Sequence, residues 1–179
     1  MTKIIVLIGV ILLGAILFVL IKAATLPNDF RVTRSIDIRA PREKVFTLIN
    51  DLKVFNQWNP FAKQDPSTLI TYRSGAVSGN GAAFDWQGGG SAGSGSLAIV
   101  DAESPASITM KLDIRKPMEG HNKVVFDLQS QAQTTTVTWT MTGPYPYINR
   151  VFGTIFNMDK MIGGSFDKGL ADLKALAET

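Results

Sequence analysis

The chain has 179 residues, with eighteen basic side chains, fifteen acidic ones, one histidine and no cysteine. The missing cysteine excludes disulfides, cysteine-ligated iron–sulfur clusters and thiolate zinc sites, and the single His121 excludes a multi-histidine metal site. Without Lys3 and Lys22, which flank an apolar run, sixteen basic residues stand against fifteen acidic ones, a balance with no electrostatic footprint for nucleic acid.

That apolar run, Ile4 to Ile21, carries no charge and no strongly polar residue. As a helix it is about 27 Å long, close to the hydrocarbon thickness of a bilayer. A cleaved signal peptide is the rival reading, but its apolar core is normally only about 7–15 residues, and Lys22-Ala23-Ala24-Thr25 is a poor cleavage site. We therefore expect an uncleaved transmembrane anchor over residues 1–22, with residues 4–21 in the bilayer. A linker over 23–28 and one domain over 29–179 follow. Gly9 and Gly14 are five apart, so they form no GxxxG dimerisation face. Lys3 on one side and Lys22, Arg31 and Arg34 on the other give no clear positive-inside signal. The short tail favours a domain on the outer, periplasmic side.

In the domain, Phe30, Val32, Ile36 and Ile38 alternate with polar residues, the period of a half-buried strand. Ala40-Pro41-Arg42-Glu43 opens a helix, with proline at its first position and an acid in its first turn. Val45, Phe46, Leu48 and Ile49 continue it, and a second short helix carries Leu52, Phe55 and Trp58, ending before Asn59-Pro60. From Thr68 to Gly143 the pattern is β. Strands are predicted over Leu69–Arg73, Ala82–Gln87, Gly95–Asp101, Ser107–Arg115, Lys123–Ser130 and Thr135–Met141, close enough in sequence to be antiparallel neighbours. After Pro146 the period becomes helical, with a short helix before Asn157 and a long one after it. Gly163-Gly164 in the long helix predict a kink or a close backbone approach.

Two catalytic patterns match by letter and fail by context. Residues 88–93 satisfy GxGxxG and residues 89–93 satisfy GxSxG, but each mechanism needs a helix next, and Ser96 to Val100 reads as a strand. His121, the base such a serine would need, falls in a predicted hairpin turn. No catalytic residue, metal ligand or cofactor is assigned.

Three stretches resemble the SRPBCC superfamily of START-like and polyketide cyclase-like proteins. These are IDIRAPREKVFTLINDLKVFNQWNPF (36–61), KPMEGHNKVVFDL (116–128) and VTWTMTGPYPYINRVFGTIFNMDKMIGGSFDKGLADLKALAE (137–178). The first has an Ala-Pro-x-Glu-x-Val-Phe helix start and a Trp-x-Pro turn; the last is the most specific. The resemblance spans nearly all of 29–179 and leaves the membrane segment outside. It implies an α+β helix-grip fold, a curved antiparallel sheet of six to seven strands around a long C-terminal helix, with an apolar cavity between them. It implies no particular reaction.

Strand alternation then proposes the cavity wall. Phe84 and Trp86, Met110 and Leu112, Phe126 and Leu128, and Trp139 and Met141 share faces in pairs, and Phe152, Phe156, Met158, Met161 and Ile162 come from the C-terminal region. A wall rich in methionine and aromatic residues suits a changeable apolar guest; the same residues also suit a solid core. Arg34, the one charge on the apolar face of the first strand, is a candidate polar anchor for an anionic head group. The expected partners are a hydrophobic small molecule or lipid and the bilayer. The rival readings are an enzyme, marked by a polar pair such as Asp85 with Arg34 or Asp159 inside the pocket, and a chaperone-regulating or other partner-binding module, marked by a filled interior.

Overall fold

The computed structural model describes residues 2–63, 65–89, 92–155 and 158–179. An apolar helix, α1 (Thr2–Thr25), precedes the domain. It is followed by β1 (Asp29–Ile38), α2 (Arg42–Asn50), α3 (Leu52–Trp58) and α4 (Pro60–Lys63). Six strands come next: β2 (Leu69–Tyr72), β3 (Ala83–Gln87), β4 (Ser94–Glu103), β5 (Ser107–Lys116), β6 (Gly120–Gln131) and β7 (Thr134–Pro144). Two helices, α5 (Tyr147–Ile155) and α6 (Met158–Ala177), close the chain. The strands form one curved antiparallel sheet in the order β1-β7-β6-β5-β4-β3-β2. This is the α+β helix-grip architecture that the sequence implied, with seven strands.

Local chemistry explains the breaks between helices. Pro41 proves to be the cap residue of α2 rather than its first helical residue. The Asp51 carboxylate caps α3 by accepting from the Lys53 and Val54 amides at 2.8 and 3.2 Å, satisfying two donors that the helix itself leaves orphaned. In β4, the pairing slips between Ile99 and Asp101 and leaves Val100 pointing outwards. Such a bulge adds local bend and twist, which a sheet needs to curl around a helix.

α6 lies in the concave face. Phe166, Leu170, Leu173 and Ala177 recur at helical spacing and are fully buried there, each of the larger ones contributing roughly 1.5–3 kcal/mol by leaving water. The half of the sheet under the C-terminal part of α6 and α2 is solid. Ile38, Val45, Ile49, Ile108, Met110, Phe126, Leu128 and Val137 pack there.

The helix is not interrupted at Gly163-Gly164; it runs from Met158 to Ala177. The expected close approach occurs. A Cβ on Gly163 would overlap the Arg34 guanidinium, and one on Gly169 would meet the Pro60 ring at 2.7 Å and the Trp139 ring at 3.0 Å. Gly164 has open space around it. Gly164→Ala should therefore raise stability by up to ~1 kcal/mol through helix propensity. Gly169→Ala should lower it by ~1–3 kcal/mol, because two rigid rings must move. Denaturation midpoints shifting in opposite directions at an unchanged slope would check this pair.

Candidate functional site

The other half of the grip is open. Between the first half of α6, helices α3 and α4, and strands β2 to β7 lies a cavity of about 290 Å³, close to the lower end of the size range for small-molecule sites. Its wall is overwhelmingly apolar, with Phe55, Phe61, Ile70, Phe84, Trp86, Leu97, Leu112, Val124, Trp139, Met141, Ile162 and Phe166 among the lining residues.

Trp139 is the pivot of the wall. Its ring stacks on Phe166 at 4.0 Å between centroids and 7° between planes, and it meets Phe126 and Trp58 at 4.9 and 5.9 Å. Trp58 donates Nε1–H to the Leu48 carbonyl at 3.0 Å, and Trp86 donates to the Ala92 carbonyl at 3.1 Å. Trp139 is only 3% exposed, and its Nε1 meets no acceptor among the described residues. A buried donor without a partner is unfavourable by about 1–3 kcal/mol.

A short polar chain runs along the helical wall. Asn59 Nδ2 donates to Asn56 Oδ1 at 3.2 Å, Asn56 Nδ2 donates to the Tyr72 hydroxyl at 3.2 Å, and the Asn59 Oδ1 accepts from the Phe61 amide. Both asparagines line the cavity. Lys116 and Pro117 of the β5–β6 turn, with Ala92 and Thr68, line its far end. Among the described residues, no carboxylate lines it.

The structure brings Phe84, Trp86, Leu112, Trp139, Met141 and Ile162 of the proposed wall together around this cavity. Met110 and Phe126 are on the expected concave face but fully buried in the core and do not line the cavity, Phe126 packing behind the wall residue Trp139. Phe152 and Met161 are half or more exposed on the outside of α5 and α6. Phe156 and the side chain of Met158 lie outside the described residues. Sequence reasoning missed the helical contribution, Phe55, Asn56, Asn59 and Phe61, and Ile70 of the short strand β2. The signal was present in the stripe Leu52, Phe55 and Trp58, which was assigned to a helix but not to the cavity.

Arg34 does not present a free guanidinium to the cavity. It pairs with Asp159 through two contacts at 2.9 and 3.1 Å, donates to the Asp159 carbonyl at 3.1 Å and to the Thr33 carbonyl at 2.7 Å, and reaches Asp167 at 3.4 Å. These bonds hold the Asp159 carboxyl below the usual carboxylate range and raise Arg34 above its ordinary value. Arg34 thus ties α6 to β1. His121 is a strand residue beside the hairpin rather than a turn residue, its Nδ1 2.7 Å from an Asp113 carboxylate oxygen on the outer face. Ser91 lies outside the described residues.

Asp85 also faces outwards, between Phe84 and Trp86 on the other side of β3. It accepts from Arg73 Nε at 2.8 Å and from Arg115 at 3.2 Å. The Arg73 hydrogen bond, opposed in part by burial, holds Asp85 below its ordinary value. A depressed folded value means that the stabilisation is present above the ordinary carboxylate pKa of about 4 and is lost as the pH falls through the lower, folded one. Asp85→Asn should therefore melt below wild type at neutral pH, with the two curves converging in acid. Melting temperatures across a pH series would check it.

Comparisons with known proteins agree with this geometry. The sequence model of the family described as polyketide cyclase / dehydrase and lipid transport matches residues 29–178. Protein CV1439 from Chromobacterium violaceum superposes with a TM-score of 0.60 at 14% identity, covering 86% of this chain and 99% of that one. A Thermobifida fusca protein solved by NMR gives 0.62 at 20% identity, covering 80% and 90%. DynU16, a protein of the dynemicin biosynthetic locus, gives 0.59 at 15% identity, covering 83% of this chain and 47% of that one. At such identities the likeness is one of fold. Comparison with curated proteins gave no match.

Proposed function

The chain belongs to the polyketide cyclase/dehydrase and lipid transport family, and from that footing we propose that it binds one hydrophobic small molecule, a lipid or isoprenoid-like chain, while held at a bilayer by α1. The observation that carries the reading is the apolar cavity of about 290 Å³ under the first half of α6. The wall residues Phe84, Trp86, Leu112, Trp139, Met141 and Ile162 hold the apolar body of the guest. The Asn56 and Asn59 amides on the helical wall supply neutral hydrogen bonds to a hydroxyl, ether or carbonyl oxygen on it. The anchor reading rests on α1, which from Lys3 to Thr25 is long and apolar enough to cross a membrane and is exposed along its length. The same length and position also fit a signal sequence.

A cyclase- or hydrolase-like reaction in the same cavity is the second reading, favoured only by the family's name. It needs a polar pair inside the pocket. Asp85 is paired with arginines on the outer face and Asp159 with Arg34 beneath α6, so neither candidate lines the cavity. A partner-binding module with a solid core has less support, because half of the interior is open.

The full chain, purified from membranes into nanodiscs and opened in a native mass spectrometer, should arrive at its uncleaved mass with one apolar adduct. A chain consistently empty, or shortened by loss of α1, would remove the corresponding half of the reading. Leu112→Trp should abolish the adduct by filling the cavity.

A further inference from the structure

α5 and the residues just before it are tied to the end of α1 and the short connection after it at three points. The Tyr147 hydroxyl donates to the Leu20 carbonyl at 3.0 Å, Arg150 Nη1 donates to the Leu26 carbonyl at 2.8 Å, and the Tyr145 amide donates to the Asn28 carbonyl at 2.6 Å. Leu20 belongs to the apolar run itself. Any surface within hydrogen-bond reach of the last turns of a membrane span stands at the edge of the bilayer. α5 has the chemistry of that edge. It carries no acidic residue, and its one charge, Arg150, is hydrogen-bonded to Leu26 and lies over the Tyr147 ring at 5.5 Å. On its outer side Ile148 and Phe152, one turn apart on the same face, are 58% and 50% exposed, and Met161 in the first turn of α6 is 64% exposed. Large apolar side chains in water are unfavourable; beside tyrosine and arginine at the end of a span they match the headgroup boundary.

We propose that α5 is a second membrane contact, lying in the plane of the leaflet at the C-terminal end of α1 with Ile148 and Phe152 immersed in it. Continuity with the apolar helix selects the occupant, because a protein partner would have to displace lipid to reach this face. The sheet register extends the consequence. Asp29 pairs with Pro144, Thr142 with Lys123, Ile114 with Gly120, and Lys116 with Ser94. The start of β1, the end of β7 and the β5–β6 turn therefore share one end of the sheet. Lys116 and Pro117, at the far end of the cavity wall, are thus on the membrane side, and Ile162 of the wall directly follows the exposed Met161. The leaflet is then the immediate source of the cavity's guest.

The inference rests on α1 spanning the membrane, and the test separates the two. The chain has no cysteine, so single-cysteine variants take one environment-sensitive fluorophore each without further changes. Phe152→Cys, Phe18→Cys and Gln133→Cys would be labelled in the full chain and reconstituted into phosphatidylethanolamine–phosphatidylglycerol vesicles. Gln133 is exposed in the β6–β7 turn, at the opposite end of the sheet. The labels at 18 and 152 should emit at shorter wavelength than the label at 133 and lose intensity to lipid-borne quenchers, deep in the bilayer for 18 and near the headgroups for 152. A label at 152 that behaves like the one at 133, while 18 reports lipid, overturns the inference and leaves the span intact. A label at 18 that reports water overturns both. An apolar adduct in the mass spectrometer is independent of either result.

Discussion

The fold turns on one aromatic contact, the Trp139 ring laid flat on Phe166. β7 supplies one partner and α6 the other, so the contact fixes the distance between the sheet and the helix it grips. Trp58 and Phe126 meet the same indole from α3 and β6, and Gly169 is the residue that lets α6 come this near. A flat stack in a desolvated interior is geometrically demanding. Once it is set, the interior divides. Towards the C-terminal end of α6 the side chains of Leu170 and Leu173 fill the groove; towards its N-terminal end the helix offers Ile162 and Phe166, and the groove stays partly open.

The ionic contacts follow this division without entering the cavity. Arg34 spans from β1 to Asp159 and Asp167 of α6 and clamps the open half from outside. Arg73, Asp85 and Arg115 hold the outer face of β2 to β5. Carboxylates are thereby engaged in structure, and the polar residues on the cavity wall among the described residues are Asn56, Asn59, Thr68 and Lys116. Such a wall distinguishes guests by shape and by one or two neutral hydrogen bonds rather than by charge.

Much of the fold was legible in the sequence because its signals are local. Alternation in Thr135–Met141 reads directly as a two-faced strand, Pro41 with Glu43 marks a helix start, and the long stripe ending in Leu170 and Leu173 marks the gripped helix. The cavity was less legible because alternation gives the face of a strand and not the position along it. Met110 and Leu112 are two residues apart on one face, yet the first is sealed in the core and the second lines the cavity. What separates them is where α6 stops filling the groove, a property of packing between distant segments. Arg34 misled for a similar reason: its place on the apolar face was readable, but its partners are more than a hundred residues away. Phe152 was placed on the cavity wall from its stripe, but a helical stripe gives the apolar side of a helix and not what that side meets, and the side chain is half exposed.

The connection between α1 and β1 is only Leu26-Pro27-Asn28, and two of its three carbonyls are already engaged by Arg150 and Tyr145. Even fully extended, three residues reach about 10 Å, and a proline among them removes one freely turning torsion. A leash of that kind does not let a domain sweep a volume. It behaves as a mounting bracket, so the orientation of the grip follows the axis of α1, and tilt of that helix becomes tilt of the cavity. Under the proposed function, an acceptor of the cavity's guest would have to come to a fixed address, because the domain does not swing out to meet it.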